Sequence, residues 1–279
     1  MMTEGAGAAA PLQISVLIPS RGRPEGLART IGVMRAKESG ANTVRYVVGC
    51  DLDDPETIKA SMGLWQEGFP ALPVVAPRGP SLGALANRLA AKHPADVYVS
   101  MGDDIVVLTD GWDAAIAEAW RAQPDGIWWW CAKNGATCAI VSEKWHAAAG
   151  RLYTDYFPFW YDDMWLIELQ RYATGRVGDR IDIWVADGGP GTHRMRDLAF
   201  WDDFFWSRRD ERKADAARIA ARLGWPAPKI DGLDLDKNPV FDAAALEAKQ
   251  GDRLPPTPEY LAAYTRAKAL MDHHQEEAA

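Results

Sequence analysis

Residues 97–107 (Val-Tyr-Val-Ser-Met-Gly-Asp-Asp-Ile-Val-Val) constrain this chain more than any other stretch. Val97 to Met101 is apolar on both faces, the pattern of a central strand in a parallel sheet. The run ends on Asp103 and Asp104, and a second apolar run follows. In open α/β sheets ligands bind beyond the carboxyl ends of the strands, so these acids stand where chemistry is expected. Adjacent carboxylates repel, and they stay ionised most easily around a cation or opposite hydroxyl donors. Hard oxygen ligands suit Mg²⁺ or Mn²⁺, which keep waters and bind one or two carboxylates plus substrate phosphates. The pair also reads as a plain strand terminator that caps a turn. On these residues alone the two readings are level.

The chain before this stretch alternates strands and helices. Gln13–Ile18 reads as a strand, closed by Pro19 and the loop Ser20-Arg21-Gly22-Arg23. A helix follows, with Pro24 in its first turn and Leu27, Ile31 and Met34 on one face. Arg21 and Arg23 beside a helix N-terminus suit a diphosphate, against the plainer reading of surface arginines on a turn. Val44–Cys50 is a second strand that ends on Asp51, placed to accept hydrogen bonds from a nucleobase or ribose. Asp53 and Asp54 look like helix caps before Pro55. Leu72–Ala76 is a third strand, and the helix opened by Pro80-Ser81-Leu82-Gly83 runs to about Lys92. Such a βαβ series implies an α/β fold with a mostly parallel sheet. No strand is followed by a glycine-rich dinucleotide or P-loop fingerprint, which argues against NAD and against a P-loop nucleotide site.

Beyond Asp104 the pattern changes. Residues 126–132 and 136–141 are strand-like and joined across Asn134-Gly135, a hairpin signal. Trp128, Trp129 and Trp130 must point to both faces, leaving one ring available to a cleft and two for the core. Asp162 and Asp163 open a helix, where carboxylates suit the dipole. Among Phe157, Phe159, Trp160 and Tyr161 a carboxylate also has its proton affinity raised by desolvation, as a general base requires. After the last strand, Ile181–Ala186, a Gly-rich loop carries His193, a candidate ligand. From Arg194 the chain is helical with mixed charge. The net charge of −8 gives no overall footprint for nucleic acid. Three cysteines without metal spacing suggest a reducing compartment, and no apolar run reaches the length of a membrane span. A cytoplasmic location is expected.

Taken together, these residues resemble the nucleotide-sugar-dependent glycosyltransferases with a GT-A fold, in an inverting branch. Four features carry the resemblance, which spans roughly residues 13–195: Pro19-Ser20-Arg21-Gly22-Arg23; Asp51; Ser81-Leu82-Gly83 with Asn87-Arg88 leading to Gly102-Asp103-Asp104; and Asp162-Asp163 before a helix. It implies a Rossmann-like half, a smaller acceptor-side half and a helical extension. The corresponding divisions are a tail over 1–11, a catalytic domain over 12–195 and an extension over 196–279.

For the site, the resemblance implies donor contacts from Pro19, Ser20, Arg21, Arg23, Asp51, Ser81, Gly83, Asn87 and Asp103. It also implies Mn²⁺ or Mg²⁺ on Asp104 and His193, and a base from Asp163 or Asp162. The family's metal-binding Asp-x-Asp is reduced here to Gly-Asp-Asp, and its Glu-Asp pair to Asp-Asp. The donor is then a nucleoside-diphosphate sugar. The acceptor stays open among saccharides, lipid-linked sugars, small molecules and a modified DNA base. A sugar-nucleotide pyrophosphorylase and a non-catalytic nucleotide-sugar-binding protein are the competing readings.

Overall fold

A computed structural model of the chain describes residues 10–79, 81–132, 139–176, 179–187, 196–226, 243–248 and 255–278. The elements in order are β1 (Gln13–Ser20), α1 (Pro24–Ala36), β2 (Thr43–Asp51), α2 (Pro55–Gln66), β3 (Ala71–Ala76), α3 (Leu82–Lys92), β4 (Val97–Ser100) and β5 (Ile105–Val107). There follow α4 (Trp112–Ala122), β6 (Ile127–Ala132), β7 (Ala139–Ser142), α5 (Glu143–Ala149), α6 (Asp162–Thr174) and β8 (Asp179–Asp187). The chain ends in α7 (Leu198–Ser207), α8 (Arg209–Arg222), α9 (Ala243–Ala248) and α10 (Pro258–Ala278).

The strands form one sheet in the order β3-β2-β1-β4-β7-β6-β8-β5. β1, β2, β3 and β4 are mutually parallel, as the βαβ series predicts. β4 is central, but its other neighbour, β7, runs antiparallel to it. β4 is thus the seam between a parallel half and a mixed half of the mostly parallel sheet that the sequence implies. The pairing of β6 with β7 is antiparallel, while the Asn134-Gly135 turn lies outside the described residues.

Period-two alternation divides the apolar residues between the two faces of the sheet. Val16 and Ile18 face α1 and α4, with Ile31, Met34, Trp112 and Ile116. Leu17 between them faces the other way, toward Leu85 and Leu89 of α3 and the aromatic residues of α6 and α7. All three residues of the tryptophan triplet are buried: Trp129 lies in the second core and Trp128 and Trp130 in the first. None faces a cleft, because helices cover the sheet on both sides at this point.

The second core continues without a break into the C-terminal helices, through Phe204, Phe205, Ile219, Tyr260 and Ala267. Phe157 is its hub, with the rings of Tyr161, Trp165, Trp201, Phe204 and Phe205 centred 5.5–6.2 Å away. Edge-to-face and tilted pairs of this kind add roughly 0.5–1.5 kcal/mol each beyond the area that they bury. Helices α7, α8 and α10 are therefore built into the same core as the sheet. Among the described residues no helix is long and apolar enough to cross a membrane.

Candidate active site

A cavity of about 420 Å³ opens at the carboxyl ends of β1, β2 and β4. Its size is that of a small-molecule site. β1 brings Pro19 and Ser20 to the rim, the turn into α1 brings Arg21 and Arg23, β2 brings Asp51, and the turn after β4 brings Asp103 and Asp104. Residues far apart in sequence meet here because parallel strands end on the same edge of the sheet.

The charges are organised in two groups. Arg21 Nη1 donates to Asp51 Oδ2 at 2.9 Å and to Asp53 Oδ1 at 2.5 Å. The bonds to Asp53 and Asp51 hold the Arg21 guanidinium charged well above its ordinary range, against a smaller opposing effect of burial. Asp54 caps α2, accepting from Thr57 N, and also accepts from Gly22 N at 2.7 Å, which fixes the arginine loop. In the second group Arg23 Nη1 lies 2.6 Å from Asp104 Oδ2 and 3.2 Å from Asp103 Oδ1. Ser20 Oγ donates to the other oxygen of Asp103 at 2.7 Å. The pair thus has both a cation and a hydroxyl donor facing it, as its mutual repulsion demands. Burial raises the proton affinity of Asp103, and Ser20 and Arg23 oppose the rise.

The two acids differ in access. The side chain of Asp103 is 4% exposed and that of Asp104 is 30% exposed. Asp104 curls back over Gly102, where an added Cβ would stand 2.5 Å from Asp104 Oδ1. Two adjacent carboxylates that already gather positive charge fit a hard divalent ion, which needs only one or two of them beside substrate phosphates. Asp104 is the one open enough to reach it. Among the described residues no third His, Cys, Asp or Glu joins them. His193 lies outside the described residues.

Three of the expected donor contacts have other work. Ser81 lines the cavity, but its hydroxyl also caps α3, accepting from Ala84 N at 2.9 Å. Asn87 does not line the cavity. Its amide accepts from Leu152 N and Tyr153 N and donates to Tyr153 O at 2.8 Å, which pins the loop before α6. Gly83 is a close-approach position: a Cβ there would meet Thr154 O at 2.6 Å and Asp162 Oδ2 at 2.9 Å. Both residues hold the 152–162 loop against α3.

That loop delivers the second acid pair. Trp160 and Tyr161 sit at φ 58° and 60°, a left-handed backbone that is costly for bulky residues. Asp162 and Asp163 follow at the start of α6 but do not line the cavity. Asp162 lies against the first turn of α3, one residue from Leu82 and two from Ser81, both of which do. Burial, and then the charge of Asp163, push the Asp162 carboxyl well above the usual range, although Thr154 Oγ1 donates to it. Burial also raises Asp163.

The raised proton affinity has a stability consequence. An acid whose folded value lies above its unfolded one favours folding below the unfolded value, near pH 4, and this is lost as pH rises through the folded value. Asp162 therefore works against the fold at neutral pH. Asp162→Asn keeps an acceptor for Thr154, so its melting temperature should exceed that of the parent at pH 7–8. The gain should shrink toward zero as the pH is lowered to about 4. A difference independent of pH would rule the idea out.

The far wall of the cavity comes from segments that no sequence motif points to. Arg78 after β3, Phe159 before the acid pair, Arg196, and Pro255, Glu259 and Tyr260 at the start of α10 complete it. Arg196 stands 5.2 Å over the Tyr260 ring. The one available signal was local: Thr257 and Pro258 mark a helix start, and Thr257 Oγ1 accepts from Tyr260 N.

No protein-family model matches the sequence, and no curated protein matches it. Similarity appears at the level of structure. Staphylococcus aureus TarS 1–349 in complex with UDP-GlcNAc superposes with a TM-score of 0.57 at 11% identity, over 76% of this chain and 71% of that one. The mannosyltransferase PcManGT from Pyrobaculum calidifontis, in complex with GDP-Man and Mn²⁺, gives 0.53 at 13% identity, over 96% and 84%. The parallel half-sheet, the mixed half and the C-terminal helices are together the GT-A glycosyltransferase fold.

Proposed function

We propose that the protein is a glycosyltransferase that moves a sugar from a nucleoside diphosphate to an acceptor hydroxyl. The observation that carries this is the single cavity joining Arg21, Arg23, Asp51, Asp103 and Asp104 at the sheet edge. Two proteins of the same fold hold UDP-GlcNAc in one case and GDP-Man with Mn²⁺ in the other, which supports the same class of donor and Mn²⁺ or Mg²⁺ here.

In this reading Arg21 and Arg23 supply positive charge to the diphosphate, Asp51 takes the ribose or base, and Asp103 holds Ser20 and Arg23 in place. Asp104 would hold the ion, which when bound offsets the charge that builds on the leaving diphosphate. The acceptor oxygen bonds to the anomeric carbon as the bond from that carbon to the phosphate oxygen breaks. Its proton passes to Asp163 or Asp162, whose raised affinity suits a base working near neutrality. Attack opposite the leaving group inverts the anomeric centre, by analogy with inverting glycosidases.

Asp163→Asn tests the base. Transfer should fall by at least about 10²-fold while nucleoside-diphosphate binding stays within about twofold. Equal loss of both would reject Asp163 in that role. The donor test is broader: a panel of nucleotide sugars with Mn²⁺ should include one that raises the melting temperature by mass action. If none does, and none is hydrolysed or transferred, the glycosyltransferase reading falls.

A further inference from the structure

The cavity has two chemically different ends. At one, beyond β1 and β4, Arg23 sits with Asp103 and Asp104. The other lies beyond β3, the neighbour of β2, where Asp51 is in register with Ala76 and Arg78 follows two residues later. A donor whose phosphates lie at the Asp104 end and whose ribose lies at Asp51 directs its base toward Arg78.

Facing Arg78 is Glu259, in the first turn of α10. Arg78 Nε and Glu259 Oε2 are 3.7 Å apart, within ionic reach but too long for a hydrogen bond. Among the described residues Glu259 Oε2 is closed off from solvent and accepts no hydrogen bond. A buried carboxylate oxygen left in this state is costly and calls for a donor. The other acids lining the cavity are engaged: Asp51 with Arg21, Asp103 with Ser20, Asp104 with Arg23. Beside Glu259 the lining carries the Phe159 and Tyr260 rings, nearly parallel at 8° and 5.9 Å apart, with the Arg196 guanidinium over Tyr260. A flat heterocycle with N–H groups on its edge fits such a place.

We propose that Arg78 and Glu259 read the nucleobase of the donor and select guanine. The proposal rests on the nucleotide-sugar reading above and narrows it. Guanine presents a carbonyl acceptor (O6), then a ring N–H (N1), then an exocyclic amine (N2) along one edge. Arg78 donates to the carbonyl, and the Glu259 carboxylate, its closed-off oxygen turned toward the base, accepts from N1–H and the amine. Uracil offers a carbonyl and a ring N–H in the same order. Its second carbonyl then meets the second carboxylate oxygen, acceptor against acceptor. Adenine and cytosine set an amino donor against the guanidinium. The discrimination follows from leaving charged groups unpaired, which is more costly than losing a contact.

The test uses the full chain with Mn²⁺ in every sample, titrated calorimetrically with GDP, IDP, UDP and ADP. GDP should bind at least about tenfold more tightly than UDP or ADP, and IDP, which lacks the amine, should fall between. Glu259→Gln should weaken GDP about tenfold and leave UDP within about twofold. UDP or ADP binding as tightly as GDP, IDP matching GDP, or a Gln variant that weakens GDP and UDP alike overturns the assignment. The wild-type series decides by itself if the variant does not fold. Should none of the four diphosphates bind, the nucleotide-sugar reading fails as well, so the two failures are distinct.

Discussion

Arg212→Ala is expected to destabilise the protein by about 3–5 kcal/mol, the cost of breaking a buried ion pair by removing one member. Against a typical total of roughly 5–15 kcal/mol, that brings the variant near unfolding. Arg212 of α8 and Glu168 of α6 form an ion pair with both side chains 0% exposed. The guanidinium also donates to Phe205 O at 2.5 Å and lies 3.9 Å from the centre of the Phe205 ring and 4.9 Å from that of Trp165. Burial pulls its proton affinity below the ordinary range while Glu168 pushes it back. The alanine variant removes an ion partner of Glu168, one backbone hydrogen bond and two ring contacts together. Urea unfolding measures the effect as a drop in the midpoint, with the slope unchanged. Replacing both partners by apolar residues, Glu168→Leu with Arg212→Met, should recover most of the loss, because the desolvation cost disappears with the charges. A single variant within about 1 kcal/mol of the parent would show that water reaches the pair.

This pair also shows where the sequence stops informing. Arg212 sits among Asp210, Glu211 and Lys213, and a mixed-charge helix reads as a solvated face. Nothing local distinguishes the one arginine that is buried. The parallel half was legible for the opposite reason: β1, β2 and β4 are continuous apolar runs, and acids or arginines at their ends are visible one residue at a time. Neighbours across the sheet were not. β4 carries the same apolar signal whether β7 runs parallel or antiparallel to it, since pairing is a relation between distant segments. The same limit explains Asn87 and Gly83, which the sequence places with the donor and which instead fasten the 152–162 loop to α3. It explains the cavity wall from residues 255–260 too. An apolar stripe on α10 says that the helix packs, and not that its first turn faces a site built on β1 and β2.

Asp104→Ala should lower transfer by about 10²–10³-fold, the usual loss when a group stabilising developing charge is removed from an active site. The fold should hardly notice. Asp104 is 30% exposed and its partner Arg23 is 32% exposed, so their ion pair contributes about 1 kcal/mol or less. Arg23 also keeps Asp103 at 3.2 Å, and no buried charge is stranded. Asp103→Ala differs: it would take a buried acceptor from Ser20 and Arg23 together and so confuse stability with function. Three measurements on Asp104→Ala separate the roles: the melting temperature, unchanged within a few degrees; binding of nucleoside diphosphate without metal, retained; and the gain in that binding on adding Mn²⁺, lost. Turnover within a few-fold of the parent, with Mn²⁺ still strengthening binding, would remove Asp104 from the ion's ligands. The charge on the leaving diphosphate would then fall to Arg21 and Arg23, which both line the cavity.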